Sequence, residues 1–160
     1  MARFIANVRF ALLDEIDPQI GGFSRDRRMI FYANAVNFNR KVKTEEEMRT
    51  LVEYVTQLAK DLKERYNLTL VYALIPNKYT IYHDFIDEAY VYDNFIPRIN
   101  KQLKDTGIPV IDIYTRYKAY RATDDSQPLY LRADTHWTPL GKSMFVNEAV
   151  AVIDALETKT

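Results

Sequence analysis

Leu68-Thr69-Leu70-Val71-Tyr72-Ala73-Leu74-Ile75 is an almost continuous apolar run. A strand with one wet face alternates apolar and polar side chains. A run without alternation is the mark of a strand covered on both faces, as in a parallel sheet. The segment before it reads as a helix. Thr44 and Glu47 have capping-box spacing, with the hydroxyl holding a free N–H while the carboxylate reaches back. Met48, Leu51, Val52, Val55, Leu58, Ala59 and Leu62 then recur at helical spacing up to Tyr66-Asn67. After the run, residues 91–105 read as a second helix with Phe95, Ile99 and Leu103 inward, closed by Thr106-Gly107. Residues 108–113 read as the next buried strand, 114–120 as a short helix or turn, and 129–132 as a short extended piece. Thr138 as N-cap and Pro139 at the first helical position open a last helix that reaches about Leu156.

Toward the N terminus, residues 1–16 fit a short helix ended by Pro18, Gly21-Gly22 marks a turn, and residues 29–33 fit a short strand. Strands and helices alternate. The expected class is therefore α/β, a three-layer arrangement with a mainly parallel sheet flanked by helices in flavodoxin-like order. The whole chain, residues 1–160, reads as one domain, with 1–20 an extension and 21–157 the core. Ligands of such sheets sit outside the carboxyl ends of the strands. Three loops leave those ends, at residues 76–82, 112–117 and 133–139.

Composition narrows the function classes. The 22 basic and 22 acidic side chains cancel, and no basic stripe suits a phosphate backbone, so nucleic acid is not an expected partner. The densest basic cluster, Arg25-Asp26-Arg27-Arg28, is interrupted by an acid and reads as a solvated turn. Cysteine is absent, which excludes disulfides, thiolate metal sites and cysteine nucleophiles. No apolar run approaches the roughly 20 residues that span a bilayer, and the start of the chain does not read as a signal peptide.

The chemistry concentrates in Asp134-Thr135-His136-Trp137, just before the Thr138 cap. In an extended stretch, residues two apart point the same way. Asp134 can then orient the His136 imidazole and stabilise its cation, so that His136 acts as general base toward a hydroxyl. The commoner role of an isolated Asp-x-His is structural, with Asp capping a turn. A two-histidine metal site would also need His83, which nothing in the sequence brings near, so no metal and no other cofactor is expected.

Tyr130-Leu131-Arg132-Ala133-Asp134-Thr135-His136-Trp137-Thr138-Pro139-Leu140-Gly141 resembles the Asp-x-His-Trp motif of the alginate O-acetyltransferase family, an SGNH-hydrolase-like group. Leu74-Ile75-Pro76-Asn77-Lys78-Tyr79-Thr80-Ile81-Tyr82 is similar to that family's strand ending in a Pro-x-Lys segment, and Pro109-Val110-Ile111-Asp112-Ile113 to its next strand. The resemblance implies an SGNH-like fold and a serine-type acetyl transferase or esterase. It implies Asp134 and His136 as catalytic acid and base, a polysaccharide and an acetyl donor as partners, and an exported or periplasmic location. The serine of this family follows the Asp-His pair in a Gly-Asp-Ser-like turn. Ser24, Ser126 and Ser143, the serines of this chain, have no such context. Either the domain is truncated at its C terminus, or it is a short homologue that binds glycan or serves assembly without catalysis. Lys78, Tyr82, Arg132 and Trp137 are the candidate substrate contacts. Lys78 would meet a carboxylate, Tyr82 line the cleft, Arg132 hold a carboxylate, and Trp137 offer a flat face to a sugar. The blander roles of these four are solvated lysine, packing tyrosine, ion-paired arginine and site wall.

Overall fold

The computed structural model describes residues 18–86 and 92–158. The helix expected over residues 1–16 lies outside them. Two strands open the described chain, β1 (Ile20–Phe23) and β2 (Ile30–Tyr32), paired antiparallel with Gly22 opposite Phe31 and Phe23 opposite Ile30. Gly21-Gly22 is thus part of a strand and not a turn. A Cβ on Gly21 would stand 2.6 Å from the Ala33 Cα, so glycine is needed there for close approach. The turn lies at the Arg25–Arg28 cluster. There Ser24 Oγ donates to Asp26 (2.6 Å) and accepts from the Arg28 and Met29 amides (3.0 and 2.8 Å).

Helix α1 (Ala33–Arg40) follows directly, then α2 (Glu45–Tyr66). The capping box of α2 forms as the sequence spells it. The Glu47 amide donates to Thr44 Oγ1 at 3.1 Å, and the Thr44 amide to Glu47 Oε2 at 2.8 Å. Asn67, at φ 53°, ends the helix in the left-handed region that Asn tolerates. Met48 and Val55 are buried against Ile99, Leu103, Ile108 and Val110, while Leu58 stands exposed. Leu51, Val52 and Ala59 pack half-buried against the same cluster.

Residues 68–75 depart from expectation. They form no ladder on both sides, only one parallel bridge between Tyr72 and Val110. The Tyr72 amide donates to Pro109 O (2.8 Å) and the Ile111 amide to Tyr72 O (2.9 Å). Val71 and Ala73, which face the other way along the backbone, find no hydrogen-bond partner among the described residues. Leu68 and Ile75 remain 55% and 42% exposed. An apolar run becomes a two-sided strand only where neighbours exist on both sides, and the described residues supply one.

The chain then turns into α3 (Lys78–Tyr82), a five-residue helix whose side chains are all buried, capped by Asn77 through a 3.0 Å bond from the Thr80 amide. A 3-10 turn over His83–Phe85 extends it. Helix α4 (Phe95–Asp105) buries Ile96, Ile99 and Leu103, and α5 (Ile113–Thr123) starts at Asp112, whose carboxylate accepts from the Thr115 amide. Helix α6 (Pro139–Glu157) closes the described chain, capped by Thr138 with Pro139 in its first turn. Val146, Val150 and Ile153 on α6 are exposed. Among the described residues, no helix is long and apolar enough to cross a membrane.

The larger core cluster is aromatic, with Phe31, Tyr79, Tyr82, Tyr117 and Tyr130 as its largest members. Gly141 ties α6 to it. Its carbonyl accepts from Tyr117 Oη (2.7 Å), and a Cβ at this position would lie 2.5 Å from the Leu129 carbonyl oxygen. Gly141→Ala therefore forces the start of α6 off Leu129. It is expected to cost about 1–3 kcal/mol in urea unfolding, and an unchanged midpoint would show that the contact gives way freely.

Candidate active site

The site begins with residues 129–138. The Leu129 amide donates to Tyr82 Oη at 2.9 Å, which fixes the start of the segment on the core. Tyr130 and Trp137 then form an antiparallel bridge, supported by bonds from the Leu131 amide to His136 O (2.9 Å) and from the Thr138 amide to Leu129 O (3.0 Å). These bonds close a tight loop over residues 132–136, with Asp134 and His136 at its tip. On the β2 side, the Ile30 amide donates to Arg132 O at 2.9 Å.

The pair is made within a bend, not along an extended strand. Asp134 Oδ1 accepts from the His136 amide (2.9 Å) and meets His136 Nδ1 at 2.5 Å. Asp favours such local turns because its carboxylate can satisfy the backbone two residues on. Here the same oxygen also receives the ring. The His136 amide first, and its ring second, hold the Asp134 carboxyl below the ordinary carboxylate range. The side chains are open to solvent, 79% for His136 and 50% for Asp134. With Nδ1 turned to the carboxylate, Nε2 points away and has no hydrogen-bond partner among the described residues. This arrangement can fix one tautomer and leave Nε2 free to accept a proton.

The four candidate contacts fare differently. Lys78 is 4% exposed, and its Nζ donates to the carbonyls of Leu131 (3.0 Å), Arg132 (3.0 Å) and Asp134 (2.7 Å). Burial lowers its ammonium to about 8, while the Asp134 carboxylate pulls the other way. Tyr82 is fully buried, its ring edge-on to Tyr130 and its hydroxyl taken by Leu129. Lys78 and Tyr82 both have their polar atoms engaged within the fold, and Tyr82 takes the packing role weighed for it above. The physical reason is shared, because both lie on α3 beneath the loop. Trp137 is also turned inward. Its indole Nε1 donates to Tyr130 Oη (2.8 Å), and its ring lies 5.4 Å from that of Phe145, so it is a wedge more than an open platform. Arg132 is exposed, with no ion pair among the described residues, and borders a cavity of about 100 Å³ lined also by Asp26, Arg28, Asp125 and Ser126.

The sequence does not single out Tyr130. Its hydroxyl donates to Pro76 O while accepting from Trp137, which joins the loop after residues 68–75 to the Asp134 loop. A tyrosine seven residues from a tryptophan carries no signal of this by itself. None of the serines bonds His136: Ser24 is committed to its turn, the Ser126 amide to Asp124, and Ser143 lies on α6. His83 sits apart, between the rings of Tyr79 and Tyr92, and no metal-binding group of three ligating side chains occurs among the described residues.

Residues 30–159 match the family described as "SGNH hydrolase-like domain, acetyltransferase AlgX". The chain belongs to this family. The structure is also similar to the O-acetyltransferase domain of Pseudomonas putida AlgJ, at 20% identity and a TM-score of 0.58 over 89% of the chain. The chain spans 48% of that solved protein, about half its length. No curated protein matches the chain. The fold is thus SGNH-hydrolase-like, while the pairing seen among the described residues is one antiparallel hairpin and two isolated bridges.

The Tyr130 hydroxyl sets a direct test. Tyr130→Phe strands the Trp137 indole N–H and the Pro76 carbonyl, each inside or near the core. A loss of about 1–3 kcal/mol is expected in urea unfolding. The fluorescence of Trp137, the single tryptophan, should shift with it. An unmoved spectrum would mean that the indole keeps its place without this bond.

Proposed function

We propose that this chain carries the acid–base half of a serine-type acetyl transfer or esterase centre acting on polysaccharide hydroxyls. The observation that carries the reading is the 2.5 Å contact of Asp134 Oδ1 with His136 Nδ1, with Nε2 turned to solvent. Membership of the family supports it, as does a fold shared with a solved O-acetyltransferase domain. In this reading Nε2 takes the proton of a serine hydroxyl as its oxygen bonds the acyl carbon and the carbonyl electron pair moves to oxygen. On collapse, the leaving group receives that proton. A sugar hydroxyl then repeats the cycle, giving its proton to Nε2 and receiving the acetyl group. Asp134 holds the ring and stabilises the cation. Arg132, exposed beside the cavity with no ion pair among the described residues, is the contact left to meet substrate.

The serine is assigned outside these 160 residues. The backbone at Val71 and Ala73, without a partner among the described residues, offers an edge on which a further parallel strand would build the mainly parallel three-layer sheet. The same reading takes residues 21–157 as the core of a single domain, with 1–20 as an extension, and an exported, periplasmic location. One observation favours a second reading, a glycan-binding or assembly module: no serine hydroxyl among the described residues reaches His136.

Release of acetate from p-nitrophenyl acetate separates the two. For the chain alone, weak turnover is expected that falls at least about tenfold in His136→Ala and also drops in Asp134→Asn. A positioned base working with its nucleophile is worth about 10²–10⁴-fold, and no serine hydroxyl among the described residues reaches His136. Equal rates in all three proteins would remove His136 from the chemistry. Binding of an acetylated glycan under those conditions would then favour the module.

A further inference from the structure

Lys78 is the one cation of the described chain held inside it without a carboxylate bonded to it. It is 4% exposed, and it forms no ion pair among the described residues. Its neighbours are carbonyl oxygens and, 5.7 Å away, the face of Phe31. A buried ammonium is costly, and an apolar side chain of equal size is commonly the more stable choice at such a place. The position is therefore poorly explained by stability alone.

The bonds show what the cation does. An ammonium has three donors and no acceptor. Lys78 spends all three on carbonyls of Leu131, Arg132 and Asp134, at 3.0, 3.0 and 2.7 Å. Three carbonyls from four consecutive residues converge on one point only if the chain curls around it. Their dipoles repel one another unless a cation stands between them. The shortest bond goes to the peptide of Asp134, whose carboxylate then receives both the amide and the ring of His136.

We propose that Lys78 is a positioning residue for the candidate base: by gathering the carbonyls of the loop it places the Asp134 carboxylate and, through it, fixes the tautomer of His136. The inference rests on reading His136 as the base, and its test does not need acetyl transfer. The depressed ammonium fits the geometry, since a lysine that titrates near 8 loses one of its three bonds within an accessible range. The charged side chain that acts on it is Asp134. Phe31, packed on it from β2, brings no charge.

The test is long-range ¹H–¹⁵N NMR of the histidine rings. The protein has two, so His83 is an internal control. With the ring neutral, His136 is expected mainly as the Nδ1–H tautomer. In Lys78→Met it should relax toward the Nε2–H form that free histidine favours, while His83 stays unchanged and circular dichroism retains the helices. The chain has no cysteine. Lys78→Cys can thus be alkylated in denaturant with 2-bromoethylamine, which rebuilds an ammonium at this position alone, and refolding should restore the original tautomer. If Lys78→Met does not fold, the unmodified chain decides. Its His136 ring shifts and the Leu131 and His136 amides should move together with the titration of the Lys78 ammonium, followed by the shift of its own ε-carbon, which burial places below the ordinary lysine range.

A tautomer unchanged in folded Lys78→Met, or unmoved while the Lys78 ammonium itself loses its proton in the unmodified chain, would overturn the proposal. A fixed tautomer that depends on Lys78 in a chain without any esterase activity would uphold it and defeat the catalytic reading alone.

Discussion

The loop that carries Asp134 and His136 rests on five buried residues, Lys78–Tyr82. Most of the long-range bonds that shape the loop start from this helix or from the residues that lead into it. Lys78 takes three loop carbonyls, Tyr82 takes the Leu129 amide, and Pro76 takes the Tyr130 hydroxyl. The burial of α3 is the constraint on which the site depends. A helix of five residues has almost no stability of its own, so its form is set by what surrounds it: Phe31 edge-on to Tyr79, Tyr130 edge-on to Tyr82, and Asn77 at its cap. Packing makes the helix, and the helix then makes the loop.

The Asp134–His136 contact has the opposite character. It is exposed and local, and salt screens it. Pairs of this kind add little to folding. Its value lies in the direction it gives the imidazole, and that direction is inherited from the rigid layer beneath. Precision at an exposed pair comes from buried support, because a wet side chain cannot supply it.

The sequence is most legible where the deciding interaction is local. The caps at Thr44 with Glu47 and at Thr138 with Pro139 form as their spacing indicates, and Asp134 meets His136 two residues on, although in a bend and not in the extended stretch expected. Legibility fails where a partner lies far along the chain. Residues 68–75 have the composition of a two-sided strand, yet composition cannot report whether a second neighbour is present, and only Val110 pairs with Tyr72. Lys78 reads as a solvated loop lysine or a substrate contact because charge ordinarily seeks water, and Tyr82 as a packing or cleft-lining ring. Nothing in their own sequence announces three carbonyls 53–56 residues away, or an amide 47 residues away. Gly21-Gly22 reads as a turn because glycine permits one, whereas here glycine permits Ala33 to approach.

The open side of residues 68–75 has a consequence for the chain as a material. Among the described residues, the donors and acceptors of Val71 and Ala73 have no partner, along an apolar segment with no charge from Leu68 to Ile75. Proteins commonly guard such edges with lysine, proline or a bulge. This one has none of these within the segment. Any second copy that reaches the edge can add its own segment to it, and each addition leaves another edge outward. Pairing of copies through this edge would grow with concentration, and the edge lies apart from the loop that carries Asp134 and His136.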